Sequence, residues 1–272
     1  MKDYVGKNVL ITGGSSGIGL ALAQKLSSLG ANIRIIARRE DQLYDAIEKI
    51  KSCNIKSEQN FGYISADLTD LDKVKNAVAK LYEERFFPDM LINSAGVAHP
   101  GEFIDLDSKI IKWMMDVNYF GSIYITKEIL PKMIDNRSGT IVNISSISGF
   151  IGVYGYTAYS GSKYAIRGFT DVLRSELKPY GIHVAIVFPP DTDTPQLEYE
   201  NKFKPNITKK IAGSAGALTA EQVADEIIVG ITKKRYIILP GFESKIIYNL
   251  NNLLGNQVYR LMDILIKFYS KK

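Results

Sequence analysis

Apolar runs rich in β-branched residues alternate along this chain with longer segments in which apolar residues recur at helical spacing. That alternation is typical of βαβ units, in which helices cover both faces of a parallel sheet. Strands are predicted at residues 8–12, 32–37, 61–65, 89–92, 140–145, 182–188 and 236–239. Helices are predicted near residues 18–29, 40–53, 70–86, 107–134, 158–179 and 219–232. We therefore expect an α/β fold with seven parallel strands in one doubly wound sheet.

The alternation of strands and helices stops near residue 242. Residues 1–242 are predicted to form one domain, within which residues 190–216 lack a firm pattern, as loops that cover substrates often do. Residues 243–272 carry apolar side chains at partly helical spacing and end in basic residues, Lys267, Lys271 and Lys272. This predicts an amphipathic C-terminal helical extension. Such a helix can lie on an anionic membrane, but packing on its own core or on a partner subunit is commoner.

The charge and cysteine content exclude some classes of protein. The 272 residues carry a formal net charge of +5, but the basic residues are scattered, which argues against nucleic-acid binding. The single cysteine, Cys53, excludes an intramolecular disulfide and favours a reducing compartment. The two histidines and Cys53 are too far apart in the sequence to predict a metal site. With no signal-peptide pattern and no apolar run of roughly 18 residues, we expect a cytoplasmic protein with at most peripheral membrane contact.

A glycine-rich turn follows the first predicted strand directly. Residues 12–19 read T-G-x-x-x-G-I-G, and a predicted helix begins at once. Glycines allow a tight turn and let the backbone approach a pyrophosphate, which the N–H groups and dipole of the helix then bind. The pattern predicts dinucleotide binding by Gly13, Ser15, Ser16, Gly17, Ile18 and Gly19. The alternative is a tight strand–helix turn that binds nothing.

Two arginines, Arg38 and Arg39, stand where the second predicted strand ends. Enzymes that use NAD place an acidic residue there for the ribose 2′-hydroxyl, whereas guanidinium groups pair with the 2′-phosphate of NADP. The sequence therefore favours NADPH/NADP+ as the cofactor. The alternative is a solvated helix start in which the arginines balance Glu40 and Asp41.

Four polar residues that suit ketone reduction are predicted to meet at the carboxyl edge of the sheet. Tyr159 and Lys163 stand four apart at a helix start and so share one face. Ser146 follows the fifth strand, and Asn118 lies in the helix before it. A ketone that accepts hydride becomes an alkoxide, which needs a hydrogen-bond donor and then a proton. Each residue alone has an ordinary structural explanation, but their shared position favours catalysis.

The chemistry gives each of these four residues a role. Tyr159 would donate the proton, and Ser146 would hold the substrate oxygen. Lowering the pKa of a phenol from about 10 to about 7 requires roughly 4 kcal/mol of preferential stabilisation of the phenolate. Lys163 would supply this together with the positive nicotinamide ring of the oxidised cofactor. Asn118 would anchor a water that returns protons to Lys163.

The turn at residues 12–19, the segment at residues 93–96 and the four polar residues together resemble the short-chain dehydrogenase/reductase family over roughly residues 5–240. This resemblance implies a Rossmann-type domain, an NAD(H) or NADP(H) cofactor and the catalytic roles given above. It also implies further contacts to the cofactor through Asp67, Leu68, Asn93, Ala95, Gly96, Tyr159 and Lys163.

A more specific resemblance lies after the sixth strand, where residues 189–195 read P-P-D-T-D-T-P and Glu200-Asn201 follow. Most relatives have Pro-Gly at this point. The sequence is similar to family members that reduce the 3-keto group of a long-chain sphingoid base with NADPH, which implies that Pro189, Thr192 and Thr194 border the nicotinamide and its phosphates. The alternatives are a reductase of a steroid, retinoid or acyl ketone and a non-catalytic nucleotide-binding regulatory protein. We also expect a homo-oligomer.

Overall fold

The computed structural model describes residues 4–212 and 216–270. Its strands in that part of the chain are β1 (Asn8–Thr12), β2 (Asn32–Ala37), β3 (Phe61–Ser65), β4 (Met90–Asn93), β5 (Gly139–Ile144), β6 (Ile182–Val187), β7 (Thr192–Asp193), β8 (Leu218–Thr219) and β9 (Ile237–Ile238). Its α-helices there are α1 (Gly17–Ser28), α2 (Glu40–Lys51), α3 (Leu71–Glu83), α4 (Ser108–Met115), α5 (Gly121–Asp135), α6 (Thr157–Leu177), α7 (Pro195–Phe203), α8 (Asn206–Ala212), α9 (Ala220–Thr232), α10 (Gly241–Leu254) and α11 (Gln257–Ser270). Short 3₁₀ helices lie at Phe103–Asp105, Ile147–Gly149 and Lys178–Tyr180.

The main sheet is parallel throughout, with the strand order β3-β2-β1-β4-β5-β6-β9. The order reverses between β1 and β4, which pair in register from Val9 with Met90 to Thr12 with Asn93. At such a reversal the loops that follow the two strands diverge and leave a crevice at the carboxyl edge of the sheet. The doubly wound α/β fold with seven parallel strands is therefore confirmed.

The core consists of an apolar layer on each face of the sheet. Ile11 packs in the layer formed with α1, α2 and α9, and its neighbour Leu10 packs in the layer formed with α3 and α5. Successive side chains of a strand point to opposite faces, so a strand covered on both sides needs an unbroken apolar run. This explains why a strand such as β1 reads as a continuous apolar run rather than as an alternating one.

The helix predicted over residues 107–134 is interrupted in the structure. A π-helical turn, Asp116–Phe120, separates α4 from α5, and Asn118 lies in it. Such turns insert an extra residue into a helix and often occur at functional sites. The apolar spacing alone did not predict this insertion.

The segment at residues 190–216 is more regular than the sequence pattern predicted. It contains β7, which pairs with β8, and the helices α7 and α8. Thr194 caps α7 by accepting a hydrogen bond from the N–H of Leu197 at 3.3 Å, and Pro195 occupies the first helical position. A Thr cap followed by Pro is a helix-start signal that the apolar pattern alone did not show. Residues 213–215 lie outside the described residues.

The C-terminal extension forms two helices rather than one. α10 and α11 meet at Gly255, whose φ of +50° favours glycine. One side of the pair packs on an apolar cluster that contains Phe188, through Ile247, Tyr248, Leu254 and Val258. Lys271 and Lys272 lie outside the described residues. Within residues 4–212 and 216–270, no helix combines the length and the apolar character needed to cross a bilayer.

Candidate active site

A cavity of about 640 Å³ lies at the carboxyl edge of the sheet and is lined by the loops that follow β1 to β6. Helices α6, α7, α8, α10 and α11 complete its wall. The predicted site residues in this wall are Gly13, Ser15, Ser16, Gly17, Ile18, Gly19, Arg38, Arg39, Asp67, Leu68, Ala95, Gly96, Ser146, Tyr159, Lys163, Pro189, Thr192 and Thr194. Asn93 and Asn118 lie behind the wall. Residues from distant parts of the sequence are thus brought together as expected, although their roles stay predictions.

The glycine-rich turn has a backbone that only glycines suit. Gly13 and Gly17 have positive φ angles of +66° and +52°. A Cβ atom on Gly19 would lie 2.3 Å from the carbonyl oxygen of Gly13. Ser16, at the N-cap of α1, makes no side-chain capping bond, and no acidic residue stands in the first turn. The N-terminus of α1 therefore keeps its N–H groups and positive dipole end for an anion, which fits the pyrophosphate of a dinucleotide.

The side chains of Arg38 and Arg39 are exposed in the cavity wall just beyond β2. Neither forms an ion pair with an acidic side chain in the described part of the chain, Glu40 and Asp41 included. Direct ion pairs between these arginines and Glu40 or Asp41 are therefore not seen, and the role of the two exposed arginines stays a prediction. The two guanidinium groups are available to a phosphate.

The loop after β3 contributes Asp67 and Leu68 to the same wall. Asp67 Oδ1 accepts hydrogen bonds from the backbone N–H and the hydroxyl of Thr69, at 3.0 and 2.9 Å. Leu68 is buried beside the cavity. One carboxylate oxygen of Asp67 therefore fixes the loop, and the other is the candidate for a ligand contact.

The loop after β4 is tied to the glycine-rich turn. Thr12 Oγ1 accepts hydrogen bonds from the backbone N–H groups of Ser94 and Ala95, both at 3.1 Å. A Cβ atom on Gly13 would lie 2.7 Å from Cα of Ala95. The two loops therefore pack backbone against backbone, which holds the crevice in one shape.

Asn93 supports this loop from inside the protein. Its Nδ2 donates hydrogen bonds to Thr126 Oγ1 at 3.0 Å and to Asn143 Oδ1 at 2.8 Å. The side chain is buried, so it orients the backbone of Ala95 and Gly96 and does not line the cavity itself. Its Oδ1 is buried and has no hydrogen-bond partner among the described residues, so a direct contact with a cofactor stays a prediction.

Tyr159 and Lys163 lie together on the buried face of α6. Lys163 Nζ is 5.6 Å from the centre of the Tyr159 ring and donates a hydrogen bond to the carbonyl oxygen of Ile144 at 3.0 Å. Tyr159 and Ser146 both line the cavity, and Ser146 is close enough to the phenol to oppose the rise of its pKa. The Oγ of Ser146 accepts the N–H of Ser148 at 3.2 Å. Two hydroxyl groups therefore converge at one point in the cavity wall. Such a pair can polarise a carbonyl oxygen and hold the alkoxide that forms from it.

Burial changes the pKa values of both Tyr159 and Lys163. Burial raises the pKa of the Tyr159 phenol above its ordinary value, and the charge of Glu200 adds to this, whereas hydrogen bonds with Ser146 and Gln196 lower it. Burial lowers the pKa of Lys163 to about 8. The protein groups alone therefore raise the pKa of the Tyr159 phenol, and the predicted lowering, which includes the positive nicotinamide ring of the oxidised cofactor, stays a prediction. The protein groups keep the phenol protonated, which suits a proton donor.

Asn118 supports the site through the backbone. Its Oδ1 accepts the N–H of Val97 at 2.7 Å, and its Nδ2 donates to the carbonyl of Val97 at 2.9 Å and to Ser162 Oγ at 2.9 Å. A Cβ atom on Gly96 would lie 3.4 Å from both Asn118 Oδ1 and Lys163 Nζ. The Asn118 amide is thus near Lys163, but its oxygen and nitrogen already have hydrogen-bond partners in the protein. Water binding by this side chain therefore stays a prediction.

A buried cluster of polar residues in the wall was not assigned by the sequence analysis. Glu200 Oε2 accepts a hydrogen bond from the Tyr156 hydroxyl at 2.6 Å, and Gln196 Nε2 donates to Glu200 Oε1 at 2.9 Å. Burial raises the pKa of Glu200, and these two hydrogen bonds oppose the rise. Gln196 and Glu200 are four residues apart and therefore share one face of α7. This relation could be recognised from the sequence only if α7 had been predicted.

Much of the remaining wall is apolar and comes from the two C-terminal helices. The side chains of this kind are Ile247, Leu250, Leu254, Val258, Leu261, Met262 and Leu265. Leu197 and Ile211 add apolar surface from α7 and α8. The cavity therefore joins a polar site with glycine-rich loops to a large apolar surface, which suits a ligand with a polar head and a hydrocarbon chain.

Comparisons with known proteins agree with this geometry. A model of the short chain dehydrogenase family matches residues 7–205. The 3-ketodihydrosphingosine reductase of Bos taurus is 40% identical over 224 residues, which are 82% of this chain and 68% of that protein. The reductase of the same name from Dictyostelium discoideum is 39% identical over 275 residues, which cover 96% and 82% of the two chains.

Solved structures show the same fold. A short-chain dehydrogenase from Sphingobium yanoikuyae in complex with NADPH superposes with a TM-score of 0.78 at 24% identity, covering 94% of this chain and 95% of that one. Levodione reductase gives a TM-score of 0.80 at 22% identity and covers 89% and 99% of the two chains. Together with the match over residues 7–205, these findings establish that the chain belongs to the short-chain dehydrogenase family.

Proposed function

We propose that this protein reduces the 3-keto group of 3-ketodihydrosphingosine to dihydrosphingosine with NADPH, a step of sphingolipid biosynthesis. The observation that carries the proposal is the single cavity whose wall contains the glycine-rich turn, Tyr159 and the apolar side chains of α10 and α11. The relatives named 3-ketodihydrosphingosine reductase support it, since they match most of the chain. Arg38 and Arg39 support the choice of NADPH.

The proposed mechanism uses the two converging hydroxyl groups. NADPH, when bound, supplies the hydride. Ser146 and Tyr159 hold the ketone oxygen by hydrogen bonds that strengthen as it becomes an alkoxide. Tyr159 then gives its proton to that oxygen, and the ammonium of Lys163 stabilises the phenolate that remains. Lys163 suits this role because its lowered pKa, about 8, lets it both hold and release a proton near neutral pH.

A product assay with substrates of increasing chain length tests this function. Purified protein, NADPH and a series of 3-keto sphingoid bases are incubated below the critical micelle concentrations, and the alcohol is quantified by mass spectrometry. Each buried methylene contributes about 0.8 kcal/mol, so two more methylenes should raise kcat/KM by about tenfold until the cavity is filled. Steroid, retinoid and short polar ketones serve as controls. A flat series, or faster turnover of a control ketone, would contradict the lipid substrate.

We also propose that the C-terminal helices contact a membrane surface, from which the lipid enters the cavity. Leu253 on α10 and Ile264 on α11 are 82% and 64% exposed, although the same helices line the cavity. We also propose a cytoplasmic location and a homo-oligomeric state. Cell fractionation tests the location, and light scattering tests the oligomeric state.

Vesicle binding is expected to depend on these exposed side chains. Wild-type protein should co-sediment with vesicles of phosphatidylcholine and phosphatidylserine, and the double variant Leu253→Asp, Ile264→Asp should bind several-fold less, because it loses apolar contact and gains negative charge. Val172→Asp, which alters an exposed apolar residue on α6, is the control. Equal binding by the wild type and the double variant would remove the membrane contact from the proposal.

A further inference from the structure

Glu200 is a buried carboxylate in the cavity wall to which the proposed mechanism assigns no contact with the ketone. Only 7% of its surface is exposed. The Tyr156 hydroxyl and the Gln196 amide donate hydrogen bonds to its two oxygens. Burying a carboxylate is costly unless an opposite charge pairs with it. A carboxylate of this kind inside a cavity points to a ligand that brings the positive charge.

No cationic side chain forms an ion pair with Glu200 among residues 4–212 and 216–270. Lys204, one turn further along the chain, binds Asp191 instead, with Nζ 2.9 Å from Oδ2. Lys163 donates to a backbone carbonyl and faces Tyr159. The hydrogen-bond partners of Glu200 in the protein are therefore neutral, although the charge of Lys204 also favours the carboxylate.

Glu200 is also close to the point at which the ketone would be reduced. Gln196 donates a hydrogen bond to Glu200, and it is close enough to Tyr159 to affect the pKa of the phenol. Tyr156 links Tyr159 with Glu200, since its hydroxyl binds Glu200 and its ring centre lies 5.7 Å from that of Tyr159. Since Tyr159 and Glu200 line the same cavity and are linked through Tyr156, we expect a substrate whose ketone oxygen is held by Tyr159 to place the substituents of the adjacent carbon near this carboxylate.

We propose that Glu200 is the counter-ion for an ammonium group on the carbon next to the ketone, and that it selects α-amino ketones over neutral ketones. This inference rests on the proposed function, because 3-ketodihydrosphingosine carries its amino group on that carbon. Tyr156 and Gln196 hold the carboxylate in place before the substrate arrives, which reduces the cost of ordering it. The ion pair also fixes which face of the ketone is turned toward the hydride donor, because the oxygen and the ammonium are then bound at two separate points.

The test compares two ketones that differ only in the amino group. Wild-type protein is assayed with 3-ketodihydrosphingosine and with the same long-chain hydroxyketone lacking the amine, and NADPH consumption gives kcat and KM for each. We expect kcat/KM to be about tenfold or more higher for the amino ketone, mainly through KM. Glu200→Gln keeps the shape and removes the charge. It should lower kcat/KM about tenfold for the amino ketone and less than about twofold for the neutral ketone.

Glu198→Gln provides the matched control, because it removes the same charge from an exposed residue of α7 that does not line the cavity. It should leave the preference between the two ketones unchanged. An equal loss on both ketones in Glu200→Gln would overturn the ammonium site and leave a structural role. Equal kcat/KM of the wild type on both ketones would overturn it without any variant. Turnover of neither ketone would refute the proposed function and this inference together.

Discussion

Tyr159→Phe is expected to reduce kcat for ketone reduction by about a thousandfold and to change the Kd for NADPH by less than about threefold. The substitution removes one oxygen and leaves the ring in its buried position beside Tyr156. The lost hydroxyl both holds the ketone oxygen and protonates the alkoxide, so the transition state is affected far more than cofactor binding. Steady-state kinetics and a fluorescence titration with NADPH separate the two effects.

Two further variants show whether the effect belongs to the Tyr159 hydroxyl. Tyr164→Phe changes a more exposed tyrosine on the same helix that does not line the cavity, and it should retain normal kcat. Lys163→Ala should harm both turnover and NADPH binding, because its ammonium is expected to reach the cofactor as well as Tyr159. If Tyr159→Phe kept more than a tenth of the wild-type rate, a different proton donor would have to be sought.

The sheet could be predicted from the sequence because both of its faces are buried. In β1 and β2, most side chains are buried, so β1 appears as an apolar run between turn residues, and β2 does too except at Arg34. The ends of all seven predicted strands fall within one residue of those in the structure. Helix α7 could not be predicted in the same way, since it is short and polar and has only Glu200 fully buried along its length.

The candidate site could be predicted only in part. Gly13, Tyr159 and Lys163 are recognisable because their spacing in the sequence follows from local geometry, a tight turn or one face of a helix. The lowered pKa of Tyr159 stays a prediction, because it includes the positive ring of the oxidised cofactor. The opposing effects of burial and of Glu200 could not be predicted from the sequence, because packing brings Glu200 close. Nothing in the sequence showed that the amide of Asn118 is occupied by the backbone of Val97.

Arg38→Asp is expected to raise the KM for NADPH by about a hundredfold and to change the KM for NADH by less than about threefold. Arg38 is exposed in the cavity wall and has no acidic partner among the described residues, so its charge is available to the 2′-phosphate. An aspartate there replaces attraction by repulsion for NADPH and offers an acceptor to the 2′-hydroxyl of NADH. Initial rates with each cofactor at a saturating ketone concentration measure both effects.

Lys49→Asp is the control for this charge reversal, because Lys49 is exposed near the end of α2 and does not line the cavity. It changes the net charge by the same amount, so a general electrostatic effect on an anionic cofactor would appear in both variants. A specific contact would appear in Arg38→Asp alone. The ratio of the KM values for NADH and NADPH in the wild type is equally decisive. If both cofactors were used equally well, neither Arg38 nor Arg39 would be selecting the cofactor. The glycine-rich turn would then hold the dinucleotide without discrimination at its ribose.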